Sequence, residues 1–385
     1  MATQRSLTIL AGAGVINVCF GTLHAFSVLL VPWEQTLQAA RGSISLIYST
    51  AILSITVAVL LSHRLFERVA HAPLALSLGF VAAAGLTIAA LATNVAVAMV
   101  GFGAIFGLAD GIGYALAIER AAASWPARKG LAIGVVTAAY ATGAMAGAPL
   151  LAEAAAQGGI RAALLLLAGI VLCACAIAAA LFQAGGGSRA PSSSLPPPPI
   201  FDRALLLLWL SYLTGATAGL MAIGHAAGIM VAHGGRAGQA AVGATVIALG
   251  NGVGSLLGGC LTDRWAPRRV LTATALLSAA SVLLLAVELP LAGALAALAG
   301  VGFAYGALIT IYPIAATILF GQAAGSRAFG RIFTAWGIAG LAGPWLAGYL
   351  FDLTRGYGIA LAVAAAAAML CAGLAVALPK EVAQY

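Results

Sequence analysis

The chain has 385 residues, 63% of them hydrophobic and only 7% charged, and its mean hydropathy is +1.07. A soluble domain carries roughly 25% charged residues, so a water-soluble globule is excluded. The formal net charge of +8 would suggest nucleic acid in a soluble protein; the placement of the basic residues gives a different account, and no nucleic-acid partner is expected.

A hydrocarbon core ~30 Å thick takes about 20 residues to cross, and twelve crossings with short connections use nearly the whole chain. Apolar stretches fall at 7–31, 42–62, 72–93, 95–118, 130–152 and 162–183. They resume at 204–232, 237–261, 270–287, 289–320, 332–351 and 356–378. The third and fourth are separated by little more than Thr93-Asn94, and 289–320 is longer than one span needs. The first is too long, and too polar at Asn17 and His24, for a cleaved signal peptide. Residues 184–200 read AGGGSRAPSSSLPPPPI, a Gly/Ser/Pro composition that favours an extended spacer. The expected organisation is an all-α integral membrane protein: a six-helix bundle over 1–183, a linker over 184–203 and a second six-helix bundle over 204–385. The five cysteines lie inside apolar runs without metal-ligand spacing and read as small buried residues. No metal and no cofactor are expected. Trp33, Trp125 and Trp265 fall near span ends and read as interfacial anchors.

With twelve spans the connections alternate sides. One side receives Arg41, Arg161, Arg236 and Arg355, and the other receives the remaining 14 of the 18 basic residues. Basic residues collect on the cytoplasmic side, so both termini are expected in the cytoplasm and the chain in the inner (plasma) membrane. An odd number of spans would destroy this asymmetry.

The halves also read as parallel repeats, a pattern of one transporter architecture. His63-Arg64-Leu65-Phe66-Glu67-Arg68 matches Gly259-Cys260-Leu261-Thr262-Asp263-Arg264 at an offset of 196. Pro149, after Gly143 and Gly147, matches Pro344, after Gly340 and Gly343, at an offset of 195. His24 matches His225 at an offset of 201. The second-half loop, Gly259-x-Leu261-x-Asp263-Arg264-x-x-x-Arg268-Arg269, resembles the loop signature of the major facilitator superfamily. The run Gly107-Leu108-Ala109-Asp110-Gly111-Ile112-Gly113-Tyr114 narrows the resemblance, together with Trp125 to Ala132, Asn251-Gly252-Val253-Gly254 and Phe329-Gly330. These are similar to the bacterial oxalate/formate antiporter and monocarboxylate transporter-like branch.

The resemblance implies a gate in which Glu67 faces the start of the eleventh span and Asp263 the start of the fifth. A carboxylate beside a helix N-terminus gains up to ~1–2 kcal/mol when partly buried, and Arg68, Arg264, Arg268 and Arg269 supply further partners. The plainer account is that these charges only mark the inner side. Glycines of the fifth and eleventh spans allow close helix approach, and Pro149, Pro313 and Pro344 are expected to bend their spans.

Polar residues inside spans are functional candidates. The resemblance places His24 and His225 beside a central cavity, where an imidazole donates to a carboxylate or carries a proton; the alternative is two histidines satisfied by backbone carbonyls. Asp110 is the only acid well inside a span. Burial favours its neutral form unless a cation pairs with it, which makes it a candidate coupling site or a hydrogen bond between helices. Glu119 and Arg120 end that span and are expected to reach water as an interfacial pair.

Carboxylate-specific relatives carry an Arg after the Asn-Gly-x-Gly run and a Lys in the eleventh span. This chain has Ser255 and Trp336 there, and no Lys or Arg near the middle of any span. A dianion would be poorly compensated in a low-dielectric site. Two solutes remain: a monocarboxylate entering with a proton, or a neutral, partly apolar molecule stacked on Trp336. Asn251, Ser255, Tyr114, Tyr140 and Tyr305 offer hydrogen bonds in either case, or serve as plain helix contacts. The chain has no Gly-x-x-x-x-Gly-Lys-Ser/Thr run and no His-Glu-x-x-His, so a secondary transporter, acting as a monomer, is expected rather than an ATPase or an enzyme. A transport-dead sensor or scaffold is the remaining alternative.

Overall fold

A computed structural model describes residues 2–125, 129–186, 202–236, 239–262 and 264–379. All regular elements among them are helical. In the first half, α1 runs Gln4–Leu37, α2 Arg41–Phe66, α3 His71–Ala90 and α4 Val95–Ser124. Next, α5 and α6 occupy 129–157 and 160–185 of one continuous helical run. The second half begins with α7 at Arg203–Ala232, α8 at Ala240–Thr262 and α9 at Pro267–Leu285. It ends with α10 and α11 over 291–320 and 322–354 and α12 at Gly358–Val376.

Two joints explain why twelve spans occupy fewer helical runs. The apolar run Ala132–Gly185 is 54 residues long, about 80 Å at 1.5 Å per residue, far more than a bilayer takes. It breaks at Gly158 (φ −137°, ψ 18°) and Gly159 (φ 69°, ψ −173°). The second break is at Gly321 (φ 78°, ψ 165°). Positive φ is open to glycine without the Cβ clash of other residues, so these two glycines separate spans that composition alone would fuse. Pro149, Pro313 and Pro344 lie inside helical segments, so the interruptions fall at glycines and not at prolines. The Asn94 side chain accepts from Val97 N at 3.0 Å to open α4, and Asp202 caps α7 through Ala204 N and Leu205 N.

Two spans depart from α geometry midway. In α1, Thr22–Leu29 is a 3₁₀ segment, long for a conformation usually limited to three or four residues. Pro32 sits just beyond it; its ring excludes the normal bond to the carbonyl four residues earlier. In α4, Met99–Phe106 winds as a π-helix.

Packing divides the chain into two compact units, Met1–Ser192 and Ser193–Tyr385. Helices in lipid associate through close packing of small residues, and both units do so. In the first, Gly103, Gly107 and Gly111 place α4 against Thr50, Ala51 and Ile55 of α2. Gly143 of α5 meets the Val18 carbonyl of α1, and Gly21 of α1 meets the Tyr140 carbonyl of α5. Gly79 seats α3 on Leu172 and Cys175 of α6. In the second unit α8 and α10 cross through Gly250, Gly254, Gly302 and Gly306. There α9 packs on α12, and Gly343 of α11 faces Thr217 and Met221 of α7.

Three expectations are corrected. Trp33 is 1% exposed and packs on Phe26 (5.4 Å) and Phe102 (5.4 Å), so it is a core aromatic and not an interfacial anchor. Cys173 and Cys260 are exposed, while Cys19, Cys175 and Cys371 are buried. Arg120 does not reach water: it is 4% exposed, lies over the Phe182 ring at 5.8 Å and points toward the Gly186 carbonyl at 3.5 Å. Its neighbour Glu119 stands within ion-pair distance of His71 on α3, 3.3 Å from Nε2.

Candidate functional site

The first unit gathers four of the residues singled out from sequence. The glycine crossing of α1 and α5 brings Tyr140 edge-on to His24, with ring centroids 5.5 Å apart. The Tyr140 hydroxyl donates to Asp110 of α4, 3.0 Å from Oδ2 and 3.3 Å from Oδ1. Tyr114, one helical turn beyond Asp110, sits edge-on to Tyr140 at 5.4 Å. Asp110 is completely buried, and among the described residues no basic side chain lies within ion-pair distance of it. An ionised carboxylate in such a place has its desolvation offset by one hydroxyl only.

The fifth member was missed. Tyr48 of α2 is fully buried, and its hydroxyl lies 2.5 Å from His24 Nδ1. It stacks on Phe26 at 5.0 Å and 18°, and Phe26 continues into Phe102 of the π segment at 5.7 Å. The two irregular stretches thus meet through an aromatic wall, and His24 stands on one of them. His24 Nε2 has no hydrogen-bond partner among the described residues, and the residue keeps 8% of its surface accessible.

His225 is in a different position. It is fully buried, with Nε2 at 2.9 Å from the Pro344 carbonyl of α11 and Nδ1 at 3.3 Å from the Tyr357 hydroxyl. A carbonyl only accepts, so Nε2 carries a hydrogen and, in the neutral ring, Nδ1 accepts from Tyr357. Both nitrogens are engaged within the unit.

The remaining second-unit residues form two pairs. Ser255 Oγ donates to the Gly306 carbonyl at 3.2 Å and lies 3.4 Å from Asn251 Oδ1, joining α8 to α10. Trp336 Nε1 donates to the Tyr305 hydroxyl at 2.7 Å, and its ring stacks on Phe333 at 5.1 Å and 15°. All four are at least nine-tenths buried.

Glu67 and Arg68 occupy the exposed turn after α2. Arg264 lies in the exposed turn after α8, Arg269 is exposed at the start of α9, and Arg268 reaches toward the Leu378 carbonyl at 3.5 Å. Asp263, Arg128, Arg189, Lys380 and linker residues 187–201 lie outside the described residues.

Comparison with known proteins agrees with this architecture. A family profile described as Major Facilitator Superfamily matches residues 10–232. The chain is similar to a crystal structure of a bacterial homolog of the human lysosomal transporter Spinster, in an inward-facing and unoccupied conformation. That likeness has a TM-score of 0.65 at 15% identity and covers 97% of this chain and 94% of that one. No match was found among curated proteins.

Proposed function

Since the chain belongs to the Major Facilitator Superfamily, and is therefore a membrane transporter and not an enzyme, we propose that it moves a monocarboxylate together with a proton by alternating access. One observation carries this reading: Asp110 is completely buried, holds one hydroxyl donor, and has no cation in reach among the described residues. An ionised Asp110 and an anionic solute in the same low-dielectric surroundings repel strongly. Protonating Asp110 removes that repulsion, so solute and proton favour each other. His24, Tyr114 and Tyr140 are the first unit's solute contacts in this scheme, and Asn251, Ser255 and Tyr305 the second unit's.

The charge asymmetry of the connections supports a location in the inner membrane with cytoplasmic termini. The linker 184–203 serves as a hinge between 1–183 and 204–385, and the chain acts as a monomer. Glu67, Arg68, Asp263, Arg264, Arg268 and Arg269 serve the inner gate. His225 is weighted toward structure by its two internal hydrogen bonds. One feature favours a second reading, a neutral and partly apolar solute: the flat Trp336–Phe333 stack, whose indole N–H is already committed to Tyr305.

Proteoliposomes test both. An imposed inward proton gradient drives uphill accumulation of a monocarboxylate by the wild type. Asp110→Asn keeps downhill counterflow and loses the gradient-driven step. Electroneutral exchange indifferent to pH defeats the coupling, and gradient-independent transport of neutral solutes alone selects the second reading.

A further inference from the structure

His24 offers two nitrogens, and the fold has filled one of them. Nδ1 faces the Tyr48 hydroxyl at 2.5 Å, and Tyr48 has little freedom. It is wholly buried, stacked on Phe26, and carried on the helix that α4 grips through Gly103, Gly107 and Gly111. The imidazole is edge-on to Tyr48 and Tyr140, at 74° to each. Tyr140 has its hydroxyl on Asp110.

A neutral imidazole has one N–H donor and one bare acceptor, and its partners decide which is which. A phenol is far more acidic than an imidazole N–H, so the Tyr48 O–H donates into Nδ1. The ring hydrogen then resides on Nε2, the nitrogen without a partner among the described residues. We infer that Tyr48 is a positioning residue for solute recognition: by holding Nδ1 as an acceptor it makes His24 present a fixed, uncharged Nε2–H donor, which selects a carboxylate oxygen of the solute. This rests on reading the first unit as a solute site. It also accounts for anion recognition without a lysine or arginine: the donor is neutral, and the one other ionisable acid in the cluster is Asp110, joined to His24 through Tyr140. Tyr114 completes the titratable groups around Tyr140.

The test is nitrogen-15 NMR of histidine-labelled full-length protein in detergent, with His24 assigned by its loss in His24→Gln. The wild type shows the Nε2–H tautomer, and added sodium acetate shifts that signal while acetamide does not. Tyr48→Phe keeps the ring stacked on Phe26 and removes only the hydroxyl. In this variant His24 becomes a mixture of tautomers, and its apparent acetate affinity falls roughly tenfold, the loss of about one hydrogen bond's worth of orientation. The His225 signal, held by Pro344 and Tyr357, stays in place and reports that the variant is folded. An Nδ1–H tautomer in the wild type, a response to acetamide and not acetate, or an unchanged acetate response in Tyr48→Phe overturns the assignment. The tautomer of His24, in the wild type and in Tyr48→Phe, is read without solute and does not depend on proton coupling, so this inference and the coupling scheme fail separately.

Discussion

The bond between Tyr140 and Asp110 ties α5 to α4 and is the first unit's clearest energetic statement. Among the described residues Tyr140 is the one hydrogen-bond donor to either Asp110 oxygen. Removing it by Tyr140→Phe leaves a buried carboxyl without a partner, a loss of about 1–3 kcal/mol. In an Asp110→Ala background the hydroxyl has already lost its acceptor, so Tyr140→Phe changes stability little. The cavity left by Asp110→Ala is common to the single and double variants and cancels. The expected interaction energy is therefore about 1–3 kcal/mol, a factor of roughly 5–160 in the unfolding equilibrium. Reversible denaturant unfolding in detergent, followed by tryptophan fluorescence, measures all four corners of the cycle. Effects that add to within about 0.3–0.5 kcal/mol would refute the contact, and with it the bridge that relays Asp110 to His24.

Three further outcomes are expected. Gly143→Ala drives a methyl into the Val18 carbonyl, where only backbone can yield, and overpacking of this kind costs about 1–3 kcal/mol; Gly14→Ala, whose added carbon meets nothing within 4 Å, leaves stability equal or slightly raised, as thermal unfolding in detergent will show. His225→Leu removes the bonds to the Pro344 carbonyl and the Tyr357 hydroxyl and lowers stability by roughly 1–3 kcal/mol, while the pH profile of uptake by the folded fraction keeps its shape. Ser255→Arg combined with Trp336→Lys restores cations at two span positions and shifts preference toward dicarboxylates, read as oxalate competing with monocarboxylate uptake.

Much of the frame was legible because membranes impose coarse rules. Span length, the alternation of arginines and the 195-residue spacing of Pro149 and Pro344 require no tertiary information. Gly158-Gly159 and Gly321 were readable only as gaps between apolar runs, since nothing local distinguishes a glycine at φ 69° from one inside a helix. Tyr48 was passed over because its role depends on a residue 24 positions away on another helix, and a tyrosine near a span end ordinarily reads as a membrane anchor. Trp33 shows the same limit: its sequence position suggested lipid, and only the Phe26–Phe102 wall shows that it is core. Pro32 could have flagged the 3₁₀ stretch. The π segment at Met99–Phe106 carries no residue that dictates it; its Gly101 faces α3 and its Gly103 faces α2, contacts that only the fold reveals.

The two histidines show how a duplicated frame supports unequal chemistry. Their positions correspond in the repeats, and a symmetric role was the natural expectation. In the second unit both His225 nitrogens are committed to internal partners, and binding a second proton would reverse the Tyr357 bond so that Nδ1–H donates to the hydroxyl oxygen. In the first unit the corresponding Nε2 has no such partner among the described residues, and the nearby tyrosine comes from α2 on the Nδ1 side. A carboxyl joins the same cluster through Tyr140, whereas the Trp336–Tyr305 and Ser255–Asn251 pairs of the second unit contain no ionisable acid. Under the proposed coupling, proton handling would concentrate in the first unit, while the second offers hydrogen bonds and a flat aromatic face. If the proposed scheme holds, Ser255 and Trp336 could be exchanged for cations without touching Asp110 or its bond to Tyr140, which is what the paired substitution exploits.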